Sequence, residues 1–172
     1  MISDILVNVT GQHLRSFSDA SYSEQTKLID VSIATAKNGV GQQFGSECTP
    51  LGEHRIRAKI GAEQKVNSVF IGRRPTGEIY TPELGEQNPN RDWILTRILW
   101  LCGNERGFNR GGNVDTQRRY VYIHGAPDSH AMGTPNSHGC IKMNNNDIIA
   151  LFDQVKVGTL VTIIVWDVVR YN

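Results

Sequence analysis

Apolar and polar positions alternate with a period of two along much of this chain. Ile5, Val7 and Val9 alternate with Leu6 and Asn8, Gly11-Gln12 turns the chain, and Leu14-Arg15-Ser16-Phe17 follows as the second arm of a hairpin. Lys27 to Ala34 and Gly52 to Ile60 continue the pattern, the latter with Ile56 opposed in phase to Arg55 and Arg57, and Val66 to Gly72 is a further strand. Leu160 to Val169, rich in β-branched residues and enclosing Trp166, has the composition of a last strand. These runs predict a mainly β fold, a β-sandwich or partly closed barrel, with its chemistry carried on loops.

Two stretches depart from that period. Asn90 to Arg106 sets Trp93, Ile94, Ile98, Leu101 and Cys102 near one helical stripe, which predicts a helix with Cys102 in the core. Asn144 to Val155 predicts a second, with Asn144 as its cap, Asp147 in its first turn and Ile148, Leu151, Phe152 and Val155 as its apolar face. That helix begins four residues after Cys140 and so bounds the loop that carries the cysteine.

Composition narrows the class. A chain of 172 residues suits a single catalytic domain spanning 1–172, able to bury about two thirds of its extended surface. A formal net charge of +1 gives no broad electrostatic reason to bind nucleic acid. Arg106, Arg110, Arg118 and Arg119 gather around a glycine-rich segment, either as a solvated loop or as a contact for an anionic peptide or glycan. No run of eighteen apolar residues is present, so no conventional membrane span is expected. The opening residues Met1 to Val9 read as a strand and not as a signal peptide. A native start at Met1 implies a cytoplasmic protein, and a trimmed start a periplasmic or cell-wall one. Gly39-Val40-Gly41 followed by Gly45 has the wrong spacing for a dinucleotide loop. Ala36 to Pro50 reads instead as a rim loop, with Phe44 as a wall against a substrate.

The chemistry concentrates in one short stretch. Ser137-His138-Gly139-Cys140 follows His124-Gly125 by thirteen residues, bringing together a cysteine, two histidines and two flexible backbone points. Thiolate acyl transfer needs a nucleophile, a base within hydrogen-bond reach, and amides where the carbonyl oxygen gains charge. Cys140, His124 and the Gly139-Cys140 amides are candidates for those roles. His124 ends the apolar run Tyr120-Val121-Tyr122-Ile123, and Gly125 leaves a backbone carbonyl free to hold its imidazole in one tautomer. In an extended strand His138 shares a face with Cys140. Ser137 makes a loop hydrogen bond or touches substrate, while Met132 and Tyr122 line a pocket or fill the core. The other cysteines, Cys48 and Cys102, form no disulfide framework with Cys140.

Several segments together are similar to the catalytic domain of the L,D-transpeptidases, the YkuD-type peptidoglycan enzymes. They are His124-Gly125-Ala126-Pro127, Gly133-Thr134-Pro135 and Ser137 to Met143, with Ser32-Ile33-Ala34-Thr35-Ala36 and Thr49-Pro50-Leu51-Gly52 upstream and Gly158-Thr159-Leu160-Val161 downstream. Lys142 stands where the family usually has arginine, Ala126 where it often has threonine, and the interval from His124 to Ser137 is short. The resemblance implies Cys140 as nucleophile, His124 as base, His138 shaping the cysteine's surroundings, no cofactor, and Lys142 facing a substrate carboxylate. It implies attack on the L,D peptide bond of a peptidoglycan stem tetrapeptide, release of the terminal D-alanine, and a thioester on the enzyme. Water then gives an L,D-carboxypeptidase acting on muropeptides in murein recycling, the reading a cytoplasmic location favours. An amine gives an L,D-transpeptidase that forms cross-links. Carbapenem β-lactams are the implied covalent inhibitors. Two other classes remain: a zinc hydrolase built on His124, His130, His138 and Cys140, and a wall-binding domain without turnover.

Overall fold

The computed structural model describes residues 1–165. Its strands are β1 (Asp4–Asn8), β2 (His13–Phe17), β3 (Lys27–Ser32), β4 (Gly52–Ile60), β5 (Ser68–Ile71), β6 (Arg74–Ile79), β7 (Ile94–Gly103), β8 (Tyr122–Gly125), β9 (Ile141–Met143) and β10 (Leu160–Ile164). Two short α-helices, α1 (Pro82–Gln87) and α2 (Asn145–Gln154), complete the α and β elements among the described residues. The strands run β3-β2-β1-β10-β4-β7-β5-β6 across one curled sheet, a half-barrel, with β8 branching from β7 and β9 pairing with β8. Pairing is antiparallel except between β1 and β10 and between β8 and β9.

Alternation decides which side of the sheet each residue serves. Ile5, Val7, Leu14, Ile56, Leu99, Leu101, Ile123, Ile141 and Met143 turn to one face, where Ile148, Leu151 and Phe152 of α2 close the main core. On the other face Ile98, Phe70 and Tyr122 form a smaller cluster against which Trp100 and Cys140 pack. Ile123 is fully buried between β7 and β9, and Ile123→Ala is expected to cost about 2–5 kcal/mol of stability, measured by denaturant unfolding. A loss under about 1 kcal/mol would show that this layer repacks around the hole.

The hairpin of β1 and β2 and the helix over Asn144 to Val155 match the sequence reading. The helix predicted over Asn90 to Arg106 is instead the strand β7. Its run Ile94-Leu95-Thr96-Arg97-Ile98-Leu99-Trp100-Leu101-Cys102 is buried on both faces, so the period of two is hidden and a helical stripe fits by coincidence. Cys102 is a buried residue as expected, but on a strand.

Helix α1 was not foreseen, although Thr81-Pro82 is a start signal: Thr81 Oγ1 accepts from the Leu84 amide at 3.2 Å and proline takes the first turn. Asn144 sits at the cap of α2 without a capping side-chain bond, contrary to expectation. It is Asn145 that works there, accepting from Thr96 Oγ1 at 2.6 Å and donating to Asn67 Oδ1 at 2.9 Å. The extension of the last strand beyond β10, with Trp166, lies outside the described residues.

Candidate active site

Strands β8 and β9 run parallel with His124 opposite Lys142 and Ile123 opposite Ile141. The odd-numbered pair faces the core, so Tyr122, His124 and Lys142 share the other face. Cys140 immediately precedes β9, and its sulfur is held by the backbone beside β8. The Tyr122 amide donates to Sγ at 3.3 Å, and the thiol donates to the Tyr120 carbonyl at 3.6 Å. Tyr120 has φ of 56°, a left-handed conformation uncommon without glycine, which orients that carbonyl at the site.

His124 is buried, and its Nδ1 lies 2.6 Å from the Gly125 carbonyl oxygen. A carbonyl only accepts, so Nδ1 carries the proton and Nε2 keeps its lone pair. Gly125 must be glycine, because a Cβ there would come 2.5 Å from Asn145 Oδ1 and 2.6 Å from the Leu95 carbonyl. Burial lowers the His124 pKa, partly opposed by the Gly125 carbonyl, and Lys142 lowers it further. Burial pushes the Cys140 thiol up to about 12, against the pull of the Tyr122 amide, Lys142 and Arg119. Both shifts favour a neutral thiol beside a neutral imidazole at neutral pH.

The loop before Cys140 is bent, not extended. Gly139 has φ of +131°, its amide donates to Ser137 Oγ at 3.2 Å, and Ser137 Oγ donates to the Cys140 carbonyl. Ser137 thus makes a loop hydrogen bond and also lines the cavity at Cys140. The Gly139 amide is thereby engaged, whereas that of Cys140 has no protein partner among the described residues. The Gly139 carbonyl accepts from Thr49 Oγ1 at 3.0 Å, which in turn accepts from the Ala36 amide at 3.0 Å. The Thr49-Pro50 landmark thus ties the rim loop to the cysteine loop. Because of the bend, His138 does not follow Cys140 along one strand face. It stands at the mouth, its side chain 65% exposed and its Nδ1 3.9 Å from Asp92 Oδ1.

Two cavities meet at Cys140. The larger, about 450 Å³, is also lined by His124, Ser137, His138, Lys142 and Tyr122. The smaller, about 230 Å³, is lined by Phe44 with Arg119, His138 and Gly139. Met132 is half-buried and lines neither. Lys142 is buried, with Nζ 3.3 Å from both the Asn136 carbonyl and His130 Nδ1, and burial lowers its pKa. Of the arginine cluster, Arg106, Arg110 and Arg118 are exposed. Arg119 donates to the Gly41 and Cys48 carbonyls at 3.1 and 2.6 Å and so pins the rim loop. Arg119 of that cluster reaches the larger cavity, as do Asp92 and Arg73, which the sequence analysis does not single out. They come from separate stretches of chain, and no local spacing signals their convergence. Among the described residues no three His, Cys, Asp or Glu side chains are grouped to hold a metal ion, so the four-residue zinc set is not assembled.

Residues 3–163 match the model of the YkuD family, the L,D-transpeptidase catalytic domain, and the chain belongs to that family. Solved structures with the same fold include an L,D-transpeptidase from Mycobacterium smegmatis, at 18% identity and a TM-score of 0.54, matched over 95% of this chain and 59% of that one. L,D-transpeptidase 3 from Mycobacterium tuberculosis aligns at 12% identity and a TM-score of 0.55, over 95% of this chain and 61% of that one. The L,D-transpeptidase LdtMt1 in complex with imipenem aligns at 16% identity and a TM-score of 0.53, over 95% and 59%. The chain thus spans about three fifths of the length of these neighbours. No curated protein sequence matches it.

Proposed function

We propose that this chain is a cysteine acyl-transferase acting on the L,D peptide bond of peptidoglycan stem tetrapeptides. The observation that carries the reading is the pair of His124, with Nδ1 fixed on the Gly125 carbonyl, and Cys140 in one cavity. The Cys140 sulfur adds to the scissile carbonyl while its proton passes to His124 Nε2. The oxygen that gains charge is met by the free Cys140 amide. Collapse breaks the C–N bond, His124 returns the proton to the departing D-alanine nitrogen, and a thioester remains on Cys140. His138, at the mouth beside Asp92, contacts the incoming peptide.

A cytoplasmic location would put water first as acceptor. Family membership supports the other order, because the similar structures are named as L,D-transpeptidases. An amine from a second stem therefore resolves the thioester, giving a cross-link, and the enzyme works where wall polymer is present. The imipenem complex of LdtMt1 supports carbapenems as acylating ligands of Cys140. Purified protein given disaccharide tetrapeptide is expected to yield cross-linked dimers and one free D-alanine per dimer. Tripeptide as the dominant product at high substrate would restore the carboxypeptidase.

A further inference from the structure

Three cations line the larger cavity: Arg73, Arg119 and Lys142. Two of them are already committed. Lys142 is buried with Nζ held by the Asn136 carbonyl and His130, and Arg119 spends Nη1 and Nη2 on Gly41, Ser46 and Cys48 of the rim loop. Arg73 is different. It sits with Gly72 in the two-residue turn between β5 and β6, and its guanidinium carbon lies 4.7 Å from the ring centroids of both Trp100 and Tyr120. Among the described residues its one side-chain hydrogen bond is from Nη1 to the Tyr122 hydroxyl, at 3.0 Å. A guanidinium has five N–H groups in a planar fork, so the aromatic faces fix its plane and leave most of its donors unused.

The backbone points the same way. Gly72 and Arg73 have φ of 56° and 65°, the conformation of a tight hairpin turn that favours glycine or asparagine. An arginine held there costs backbone strain, which marks a side chain wanted at that place. The one carboxylate lining the cavity among the described residues, Asp92, stands by His138.

We infer that Arg73 is the specificity-determining residue of the larger cavity, binding a carboxylate of the donor peptide through its free N–H pair. The inference rests on the stem-peptide reading above and gives it a recognition element that no motif contains. The usual arginine two residues after the cysteine is Lys142 here, buried with Nζ held by His130 and the Asn136 carbonyl, and Arg73 supplies the planar fork to the same cavity from the turn between β5 and β6. The carboxylate comes either from the terminal D-alanine or from the side chain of the diamino acid.

The test is binding of synthetic stem tetrapeptide to the Cys140→Ala protein by calorimetry, with and without Arg73→Ala. Three peptides are used: the free acid, its C-terminal amide, and its diamino-acid side-chain amide. Arg73→Ala is expected to weaken the free acid about ten- to a hundredfold, the range for a charge-assisted hydrogen bond. One of the two amides should bind both proteins equally weakly, which identifies the carboxylate. Arg73→Lys, with charge but no fork, should fall between. Unchanged affinity for the free acid, no measurable binding of it, or an equal loss for all three peptides would overturn the assignment. Wild-type protein that binds in this Arg73-dependent way yet releases no D-alanine would sink the acyl-transfer reading alone.

Discussion

Alanine in place of Cys140 should end D-alanine release from tetrapeptide altogether, while Cys48→Ser and Cys102→Ser keep it. The three thiols differ in their surroundings. Cys102 is buried on β7 with its sulfur near the Arg55 carbonyl, and Cys48 lies in the rim loop against the Asn38 and Ser46 carbonyls. Among the described residues, the Cys140 thiol alone lines a cavity with a histidine whose Nε2 is free by tautomer. A nucleophile that forms the covalent intermediate has no substitute, so the expected loss is the full catalysed rate, several powers of ten. The Cys140→Ala fold should persist, because a small side chain is removed from the edge of the minor cluster and not from the main core. Intact-mass measurement after incubation with imipenem should give one adduct on the native chain and none on Cys140→Ala. An adduct on Cys48, or D-alanine release by the alanine variant, rules out Cys140 as nucleophile.

His124→Ala is expected to slow acylation by roughly a hundredfold or more, the range for general base assistance. The pH dependence carries the sharper test. With the thiol pushed up to about 12, thiolate is scarce at neutral pH, so the proton must leave during attack. Burial holds His124 below the ordinary value of 6.5, so its neutral, accepting form prevails at pH 7 and is lost only on acidification below that value. Native acylation should therefore be level around neutrality and fall only on the acid side of the ordinary imidazole range. The alanine variant should lack that acid limb, and its residual rate should climb with alkali as thiolate forms. His138, exposed beside Asp92, should affect rate without moving the limb. An acid limb that survives in His124→Ala and vanishes in His138→Ala exchanges the two roles.

The cysteine loop, the histidine before Gly125 and helix α2 were legible in the sequence because each is local: a few adjacent residues, or one amphipathic period. Strand β7 was not, because burial on both faces removes the polar residues that reveal a strand's alternation. Position-by-position geometry at the site also escaped. His138 was placed on one face with Cys140 by assuming extended backbone, whereas φ of +131° at Gly139 breaks that regularity. The sequence offers Lys142 as a charge for a substrate carboxylate, and only the pairing of β8 with β9 shows that it lies opposite His124 and is buried. The cations that complete the cavity, Arg73 and Arg119, lie on a hairpin turn and in a loop, and only the tertiary fold joins them to Cys140.

The parallel pairing of β1 with β10, which sets Asp4 against Leu160 in the middle of the strand order, bears on how the molecule is made. During synthesis on the ribosome β1 and β4 each keep an open edge where β10 belongs, and that gap persists until the tenth strand has emerged. Contacts of such long sequence separation form slowly, and exposed strand edges invite pairing with other chains. The cysteine loop and both cavity walls are translated before the sheet that supports them is closed. Nascent protein should accordingly depend on protection from aggregation until β10 has emerged, and shortening the chain ahead of β10 should yield insoluble material instead of a smaller active unit.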